Sequence, residues 1–394
     1  MMRDFELWLN TRFLFGRGVH KKAGNVLKQM GVSRVLIHHD GGAYLYDTGL
    51  LESVRDDLES NGMTVWELPG VKPNPRLDLV YEGIRCVKEN QIDFILAIGG
   101  GSVIDSSKAI AAGALYDGDV WDFFTKGIRV SRSVPVGVIL TCPATGSESG
   151  DVSVINNTRT GQKLLTSSQA LRPVLAFMNP ELTVSLPAFV TACSVADMFS
   201  HVCERYFTPD DEIGVIDRMA EGLMVAIKEA TVKAVRCPHD YEARATLMWG
   251  GSLSHNGLTG TGRTADFASH KIEHEMGGMF DVTHGAGLCA IWGSWARYVY
   301  KTDVARFAQF ASRIFSVPLN YHDLEETALK GIEAWEDWCH KIGMPTSMKE
   351  LGISPTEEQI NEMADKCVAT GGGHVGFFQT LYKDDVMNIY RMSR

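Results

Sequence analysis

The first half of the chain alternates short, apolar, β-branched runs with helical patterns, and this alternation restricts the possible folds more than any other feature. The runs are RVLIHH (34–39), MTVWEL (63–68), DFILAIGG (93–100) and VPVGVIL (134–140). Strands separated by helices are typical of βαβ units, whose strands lie parallel in one sheet. We therefore predict an α/β domain with a parallel sheet in this half.

Turn residues follow three of these runs. The turns are Asp40-Gly41-Gly42, Pro69-Gly70 with Lys72-Pro73-Asn74-Pro75, and Gly99-Gly100-Gly101. Open parallel sheets bind their ligands at the carboxyl ends of the strands. We therefore expect all three turns to line one rim of the sheet.

The pattern changes near residue 187. Ser185-Leu186-Pro187 is typical of a helix start. Long helical segments such as FVTACSVADMFSHVCERYF (189–207) then replace the strand-like runs. We predict two domains, an α/β domain over residues 1–187 and an all-helical domain over residues 188–394. The motifs described below identify the first as dinucleotide-binding and the second as metal-binding.

Composition excludes several classes of function. With 45% hydrophobic and 22% charged residues, the chain has the composition of a soluble globular protein. Its net charge is -10 and its Lys and Arg residues form no blocks, so we expect neither nucleic acid nor a membrane surface as a partner.

The eight cysteines are scattered without a C-x-x-C pair, and no signal-peptide pattern or membrane-length apolar run occurs. We expect a cytoplasmic protein.

The segment Gly99-Gly100-Gly101-Ser102 leaves a strand and enters a helical stretch, VIDSSKAIAAGA (103–114). Glycines at a helix N-terminus allow a phosphate to approach the backbone N–H groups. The segment lacks the G-x-G-x-x-G fingerprint, so a simple strand-to-helix turn is an equal alternative. A second glycine turn, Gly41-Gly42, follows the first run and favours a dinucleotide over a mononucleotide.

Asp40 follows the first of these runs directly. A carboxylate at this position accepts hydrogen bonds from a ribose and repels a 2′-phosphate, which favours NAD over NADP. The alternative is an Asx-turn residue without a ligand.

Asp197 and His201 lie four residues apart and share one face of a predicted helix. A surface ion pair is one interpretation of this spacing. The neighbours Val195, Met198 and Phe199 are apolar, however, and a buried carboxylate needs a partner or a metal ion.

Three histidines, His270, His274 and His284, occur within ASHKIEHEMGGMFDVTHGAGLCAI (268–291). The first two share a helical face, and we expect a glycine-containing turn before the third. Together with Asp197 and His201 they form a nitrogen-rich set that suits Fe(II) or Zn(II). The string H-x-x-E-H (270–274) also matches a metalloprotease signature, an alternative that leaves the glycine turns unexplained.

Several motifs in order resemble those of the iron-containing alcohol dehydrogenase family, in its butanol-dehydrogenase-like branch. They are TRFLFGRG (11–18), KPNP (72–75), AIGGGSVID (97–105), TCPATGSESG (141–150), DMFSH (197–201), HKIEHEMGG (270–278), VTHGAGLCAI (282–291) and DVMNIYRMS (385–393). The resemblance covers essentially the whole chain. It implies a dehydroquinate synthase-like architecture, with an N-terminal α/β dinucleotide-binding domain and an all-helical C-terminal domain.

The resemblance also implies roles for individual residues. The implied metal ligands are Asp197, His201, His270 and His284. By the same resemblance His274 would lie near nicotinamide and substrate, and protons would be supplied by water, the nicotinamide ribose or His274. The implied cofactor-binding residues are Asp40, Gly41, Gly42, Asn74, Gly99, Gly100, Gly101, Ser102, Asp105, Thr141, Thr145 and Lys163.

By this resemblance the chain is an NAD(P)H-linked alcohol dehydrogenase that acts on small to medium aliphatic aldehydes and alcohols. NADH is expected to be preferred over NADPH, with one divalent ion, Fe(II) or Zn(II), and a homodimer as the assembly. A sugar-phosphate lyase or cyclase of the dehydroquinate synthase type is the alternative enzyme. A non-catalytic metal-binding protein would bind the ion without oxidising NADH.

Overall fold

The computed structural model describes residues 2–211, 214–369 and 371–394. The chain folds as two compact units. One unit is Trp8–Leu186, and the other combines the described part of Met1–Leu7 with Pro187–Arg394.

The Trp8–Leu186 unit contains the predicted parallel sheet, which confirms the α/β prediction. Its strands are β1 (Arg12–Phe15), β2 (Arg34–His39), β3 (Thr64–Leu68), β4 (Phe94–Gly100), β5 (Val136–Cys142), β6 (Val152–Asn157), β7 (Gln162–Ser167) and β8 (Leu175–Met178). Six strands form the sheet in the order β1-β8-β5-β4-β2-β3, with every pair parallel. The remaining two, β6 and β7, pair as an antiparallel hairpin.

Helices cover both faces of this sheet. They are α1 (Ala23–Gln29), α2 (Ala43–Asp47), α3 (Leu50–Ser60), α4 (Leu77–Asn90), α5 (Gly101–Ala114) and α6 (Asp122–Thr125), with 3-10 turns at Val19–Lys22, Gln169–Leu171 and Pro180–Thr183. Successive residues of β2 point to different clusters, because Leu36 packs in one apolar core while Val35 and Ile37 pack in another. Strands buried on both faces explain the continuous apolar runs in the sequence.

The two glycine turns lie at the point where the strand order reverses. The chain passes from β2 outward to β3, crosses back to β4 on the other side of β2, and then continues to β5. Because β2 and β4 are parallel neighbours, Asp40-Gly41-Gly42 and Gly99-Gly100-Gly101 follow adjacent strand ends. Such a switch point is where open α/β sheets bind ligands.

The other unit is helical. Its helices are α7 (Ala188–Tyr206), α8 (Gly214–Arg236), α9 (Tyr241–His255), α10 (Ala268–Phe280), α11 (His284–Val299), α12 (Val304–Phe315), α13 (Leu324–Lys341), α14 (Glu357–Ala369) and α15 (Lys383–Met392), with 3-10 turns at Leu258–Gly260 and Tyr300–Thr302. Among the described residues, this unit contains no strand beyond the isolated bridge between Val375 and Leu381. No described helix is both long and apolar enough to span a membrane.

Helix α7 lies in the interior of the helical unit and contacts α8, α9 and α11. From Thr191 to Tyr206 all of its residues are buried, so its polar side chains face other protein groups. Helix α10 continues through Gly277 and Gly278. The prediction of a glycine-containing turn before His284 is therefore wrong. The helix ends instead at Asp281, whose φ of 52° reverses the chain direction without a glycine.

Candidate functional site

Asp197 and His201 lie one turn apart on α7. Their relative exposures are only 4% and 6%. The Nε2 atom of His201 lies 3.6 Å from Oδ1 of Asp197. The surface ion-pair interpretation is therefore wrong, because both groups lie inside the protein.

Two more histidines point at the same carboxylate oxygen. Nε2 of His270 on α10 lies 3.6 Å from Oδ1 of Asp197, and Nε2 of His284 at the start of α11 lies 3.5 Å from it. These separations are too long for good hydrogen bonds. They resemble the roughly 3.3–3.6 Å between ligand atoms that surround a tetrahedral ion at about 2.0–2.2 Å.

Buried polar atoms without a hydrogen-bond partner also indicate a bound cation at this site. Oδ1 of Asp197, Nε2 of His270 and Nδ1 of His201 are buried and have no hydrogen-bond partner among the described residues. Leaving such atoms unpaired costs free energy, which a bound cation offsets for the atoms that face it. Aspartate oxygen with imidazole nitrogen suits Fe(II) or Zn(II).

The pKa shifts of the four proposed ligands differ in direction. Burial opposes ionisation of Asp197, but the nearby His201, His270 and His284 bring its pKa well below the usual value. Burial lowers the pKa of His201 well below that of a free histidine, which keeps its imidazole neutral. Burial also opposes protonation of His270 and His284, but the neighbouring carboxylates raise the pKa of His270 and raise that of His284 to about 10. A carboxylate and a neutral imidazole are the forms that bind metal ions, so metal binding would displace a proton from these two rings.

Two glutamates hold the far side of the ligand rings. Nδ1 of His270 donates to Oε1 of Glu204 at 2.7 Å, and Nδ1 of His284 donates to Oε2 of Glu273. Each of these bonds leaves Nε2 of the same ring directed at Asp197. Carboxylates that fix the tautomer and orientation of metal-binding histidines are a recurrent feature of metal sites.

Neither glutamate was assigned this role from the sequence. Glu204 follows Asp197 by seven residues and His201 by three, so all three lie on one helical face, and that spacing was an available signal. Glu273 is the acidic residue of the H-x-x-E-H string, in which the metalloprotease alternative would use it as a general base. Its contact with His284 depends on the chain reversal at Asp281, which the sequence does not reveal.

His274 is separated from the group around Asp197. A ring nitrogen of His274 lies within 4.8 Å of a carboxylate oxygen of Glu273 and of a ring nitrogen of His284, whereas His270 groups with Asp197 and His201. The ring centres of His274 and His284 are 5.2 Å apart. A metalloprotease site would need His270 and His274 on one ion with Glu273 available as a base, and the geometry gives that interpretation no support.

In the Trp8–Leu186 unit, the loop after β5 packs on the glycine turn after β4. A Cβ atom on Gly101 would lie 2.6 Å from Oγ1 of Thr145, and one on Gly100 would lie 3.1 Å from the carbonyl oxygen of Cys142. A side chain at Gly101 would therefore force Thr145 to move, and one at Gly100 would be in tight contact with β5. Helix α5 begins here with no side chain capping its first turn, which leaves backbone N–H groups available to an anion.

The side chain of Asp40 forms an Asx turn, which the sequence analysis gave as the alternative to ribose binding. Its Oδ1 atom accepts a hydrogen bond from the Gly42 N–H at 2.8 Å, and Gly41 has a φ of 77°. Oδ2 accepts from the hydroxyl of Tyr44 at 3.3 Å. That hydroxyl also lies 3.2 Å from Oγ1 of Thr141, so the ends of β2 and β5 are linked across the rim.

The remaining predicted cofactor residues occupy different settings. Asn74 adopts a φ of 57° in the turn after β3, and Ser102 lies in the first turn of α5. Lys163 is exposed on β7, with its charge close enough to act on Asp105. Both oxygens of Asp105 are engaged by protein groups, Oδ1 by the hydroxyl of Ser147 and Oδ2 by the Val154 N–H.

Comparisons with known proteins cover both units. The family model for iron-containing alcohol dehydrogenase matches residues 10–180, and that for the C-terminal region of the Fe-containing alcohol dehydrogenase family matches residues 191–394. The chain is 38% identical over 392 residues to the probable NADH-dependent butanol dehydrogenase 1 of Bacillus subtilis, with 100% of each chain covered. It is 33% identical to the NADPH-dependent aldehyde reductase YqhD of Escherichia coli, again over 100% of both chains.

Solved structures agree with these matches. The crystal structure of NADH-dependent butanol dehydrogenase A from Thermotoga maritima superimposes with a TM-score of 0.94 at 36% identity. The alignment covers 100% of this chain and 99% of that one.

Proposed function

Because the chain belongs to the iron-containing alcohol dehydrogenase family, we propose that it interconverts small to medium aliphatic alcohols and aldehydes with a nicotinamide cofactor. The observation that carries the proposal is the convergence of three imidazole nitrogens on one buried carboxylate oxygen at 3.5–3.6 Å. The family membership supplies the reaction class, an NAD(P)-dependent alcohol dehydrogenase. The finer assignments below are our own proposals.

We assign one divalent ion, Fe(II) or Zn(II), to Asp197, His201, His270 and His284. When bound, such an ion polarises the carbonyl of the aldehyde and stabilises negative charge on its oxygen during reduction. Glu204 and Glu273 keep the Nε2 atoms of His270 and His284 directed inward. Because the donor set is pre-oriented, little reorganisation is needed on binding.

We assign the nicotinamide dinucleotide to the rim at the switch point. The backbone at Gly99, Gly100, Gly101 and Ser102 holds the pyrophosphate. We place Thr141 and Thr145 along the cofactor, Asn74 near the adenosine and Lys163 near the nicotinamide ribose. Gly41 and Gly42 shape the turn at the adenosine end. Asp105 acts on this site by fixing the neighbouring loop.

We propose that NADH is preferred over NADPH. The carboxylate of Asp40 accepts hydrogen bonds from a ribose, and its negative charge repels a 2′-phosphate. Its hydrogen bonds to Gly42 and Tyr44 hold the carboxylate at the end of β2. The Bacillus subtilis relative is named for its dependence on NADH, which supports the same preference.

We propose that His274 moves protons for the reaction. Imidazole exchanges protons near neutral pH, and His274 is solvent-exposed beside the ligand His284. An exposed ring next to a buried metal site is suited to relay a proton between solvent and the product oxygen.

The alternative lyase or cyclase would also use a dinucleotide and a metal, but no observation on the described residues favours it over a dehydrogenase. The two reaction classes are separated by a direct assay. Protein purified anaerobically is analysed for iron and zinc and then mixed with NADH or NADPH and linear aldehydes of increasing length. We expect aldehyde-dependent loss of NADH absorbance that requires metal. Metal-loaded protein that oxidises neither cofactor with any aldehyde would refute the proposal.

We further propose a cytoplasmic homodimer. All eight cysteines are free thiols, as is usual in a reducing compartment. Strand β1 is an edge of the sheet, and the preceding Trp8 and Leu9 are exposed by 56% and 44%. Exposed apolar side chains beside an open strand edge suit a contact between copies. Light scattering on purified protein is expected to give twice the chain mass, and a monomer at all concentrations would exclude the dimer.

A further inference from the structure

Lys108 is a fully buried lysine for which the proposed reaction has no direct use. It lies in the second turn of α5, seven residues after Gly101, and its relative exposure is 0%. A lysine is rarely this buried, because removing its ammonium group from water is costly. The free-energy cost of this burial therefore indicates a specific role for the ammonium group of Lys108.

Three acceptors surround its amine, and all come from one stretch of chain. The Nζ atom donates to Oγ of Ser147 at 2.7 Å, to the carbonyl of Gly150 at 3.0 Å and to the carbonyl of Val152 at 2.9 Å. An ammonium group has three donors, so its capacity is fully used. The acceptors lie in residues 145–154, which comprise most of the connection after β5 and the first residues of β6.

Ser147 and Asp105 extend this attachment toward the glycine turn. The Ser147 hydroxyl donates to Oδ1 of Asp105 at 2.6 Å, and Oδ2 of Asp105 accepts from the Val154 N–H at 3.0 Å. The Ser147 N–H donates to Oγ1 of Thr145 at 3.2 Å. The 145–154 segment is thereby fixed to α5 at several points along its length.

Thr145 connects this attachment to the proposed pyrophosphate site. Thr145 packs so tightly on Gly101 that a Cβ atom there would lie 2.6 Å from its Oγ1. Gly101 begins the helix whose N-terminus we assign to the pyrophosphate. A shift of the 145–154 segment would therefore change the wall of the phosphate site without altering a single residue that touches the phosphate.

We propose that Lys108 is a positioning residue for the dinucleotide, which fixes the 145–154 segment against the start of α5. It acts through Ser147 and Thr145 and does not contact the cofactor itself. This inference rests on the proposed assignment of the cofactor to this rim. It predicts a defect in cofactor binding that is separate from metal binding and from general stability.

The test compares Lys108→Met with controls in the same helix. Ile110 is fully buried on α5 and packs against Gly83 on α4. Two residues along a helix correspond to about 200°, so its side chain leaves α5 on nearly the opposite face from Lys108. Ile110→Val and Ile110→Ala therefore give graded losses of stability, and the one whose melting temperature matches Lys108→Met is the control. Ser147→Ala removes one link of the attachment with a smaller change in volume.

The dissociation constant for NADH is measured by the fluorescence of the bound nicotinamide, and zinc affinity is measured separately. We expect Lys108→Met to weaken NADH binding by roughly tenfold to a hundredfold, by analogy with the loss seen when a partner that orients a metal ligand is removed. Its KM for NADH should rise by a similar factor while kcat at saturating NADH and zinc affinity stay near the wild-type values. Ser147→Ala should change NADH binding in the same direction, and the matched Ile110 variant should not.

Three results would count against the proposal. An NADH dissociation constant of Lys108→Met within twofold of wild type overturns it, as does an equal weakening in the matched Ile110 variant. If Lys108→Met does not fold, Ser147→Ala decides, and unchanged NADH binding there overturns the proposal. If the wild-type enzyme binds neither NADH nor NADPH, the proposed function itself fails, which is a distinguishable outcome.

Discussion

Replacing Glu273 with glutamine should weaken metal binding without disturbing the fold. Glu273 is 1% exposed, and its Oε2 atom accepts the hydrogen bond from Nδ1 of His284. Gly277 and Gly287 leave room for this carboxylate, since a Cβ atom on Gly287 would lie 2.5 Å from Oε1 of Glu273. Glutamine has nearly the same size and still offers a carbonyl oxygen to His284. The substitution therefore removes mainly the negative charge.

The expected decrease in metal affinity follows from the loss of this negative charge. Replacing an outer partner of a metal-binding histidine costs about 10–100-fold in metal affinity. Because the glutamine oxygen still accepts a hydrogen bond, we expect about tenfold, or about 1.4 kcal/mol. Zinc affinity is measured by competition with a chromogenic chelator, and cobalt substitution reports the ligand geometry through its visible absorption bands.

Glu275→Gln is the matched control, because Glu275 lies on the same helix and makes none of the contacts with the ligand histidines described above. We expect its zinc affinity and cobalt spectrum to equal those of the wild type. Equal zinc affinities for Glu273→Gln and Glu275→Gln would refute the assignment of Glu273 as the residue that orients His284.

Three further predictions concern the cofactor, the proton relay and stability. Asp40→Asn keeps the acceptor for the Gly42 N–H but removes the charge, so the ratio of kcat/KM for NADPH to that for NADH should rise by about tenfold, and an unchanged ratio would contradict the role of Asp40. His274→Ala should lower kcat by roughly 10²–10⁴-fold with metal content unchanged, whereas loss of metal would show that His274 is a ligand. Burial lowers the pKa of Lys108 from 10.5 to about 8. Between these pH values the unfolded chain keeps a proton that the folded chain has lost, so stability rises with pH. The stability advantage of the wild type over Lys108→Met, measured by denaturant unfolding, should grow by up to about 3 kcal/mol from pH 8 to 10.5, and a constant or shrinking advantage would contradict this.

The parallel sheet was predictable because its central strands are buried on both faces and so leave continuous apolar runs. The run at 34–39 coincides with β2, and that at 93–100 begins one residue before β4. The edge strand β1 and the strand β8 have only four residues each, too few for a pattern to stand out. The β6–β7 hairpin was missed because polar residues dominate its second strand.

At the candidate metal site, local spacing indicated which side chains share a helical face, but tertiary packing decides which atoms meet. Asp197 with His201, and His270 with His274, followed from a four-residue spacing. The approach of His284 to Asp197 depends on the left-handed residue Asp281, whereas the sequence predicted a glycine-containing turn before His284. In the structure Gly277 lies within α10, where a Cβ atom would come within 2.9 Å of Glu273 Oε1. A glycine required by packing has the same sequence signal as one required by a turn.

The central claim is that Asp197, His201, His270 and His284 hold the metal ion of an alcohol dehydrogenase. Crystals of zinc-loaded protein, measured at the zinc absorption edge, test it most directly. The predicted result is one strong anomalous peak at about 2.0–2.2 Å from Oδ1 of Asp197 and from the Nε2 atoms of the three histidines. A peak held by His270 and His274 with Asp197 left out, or none near Asp197, would contradict the account.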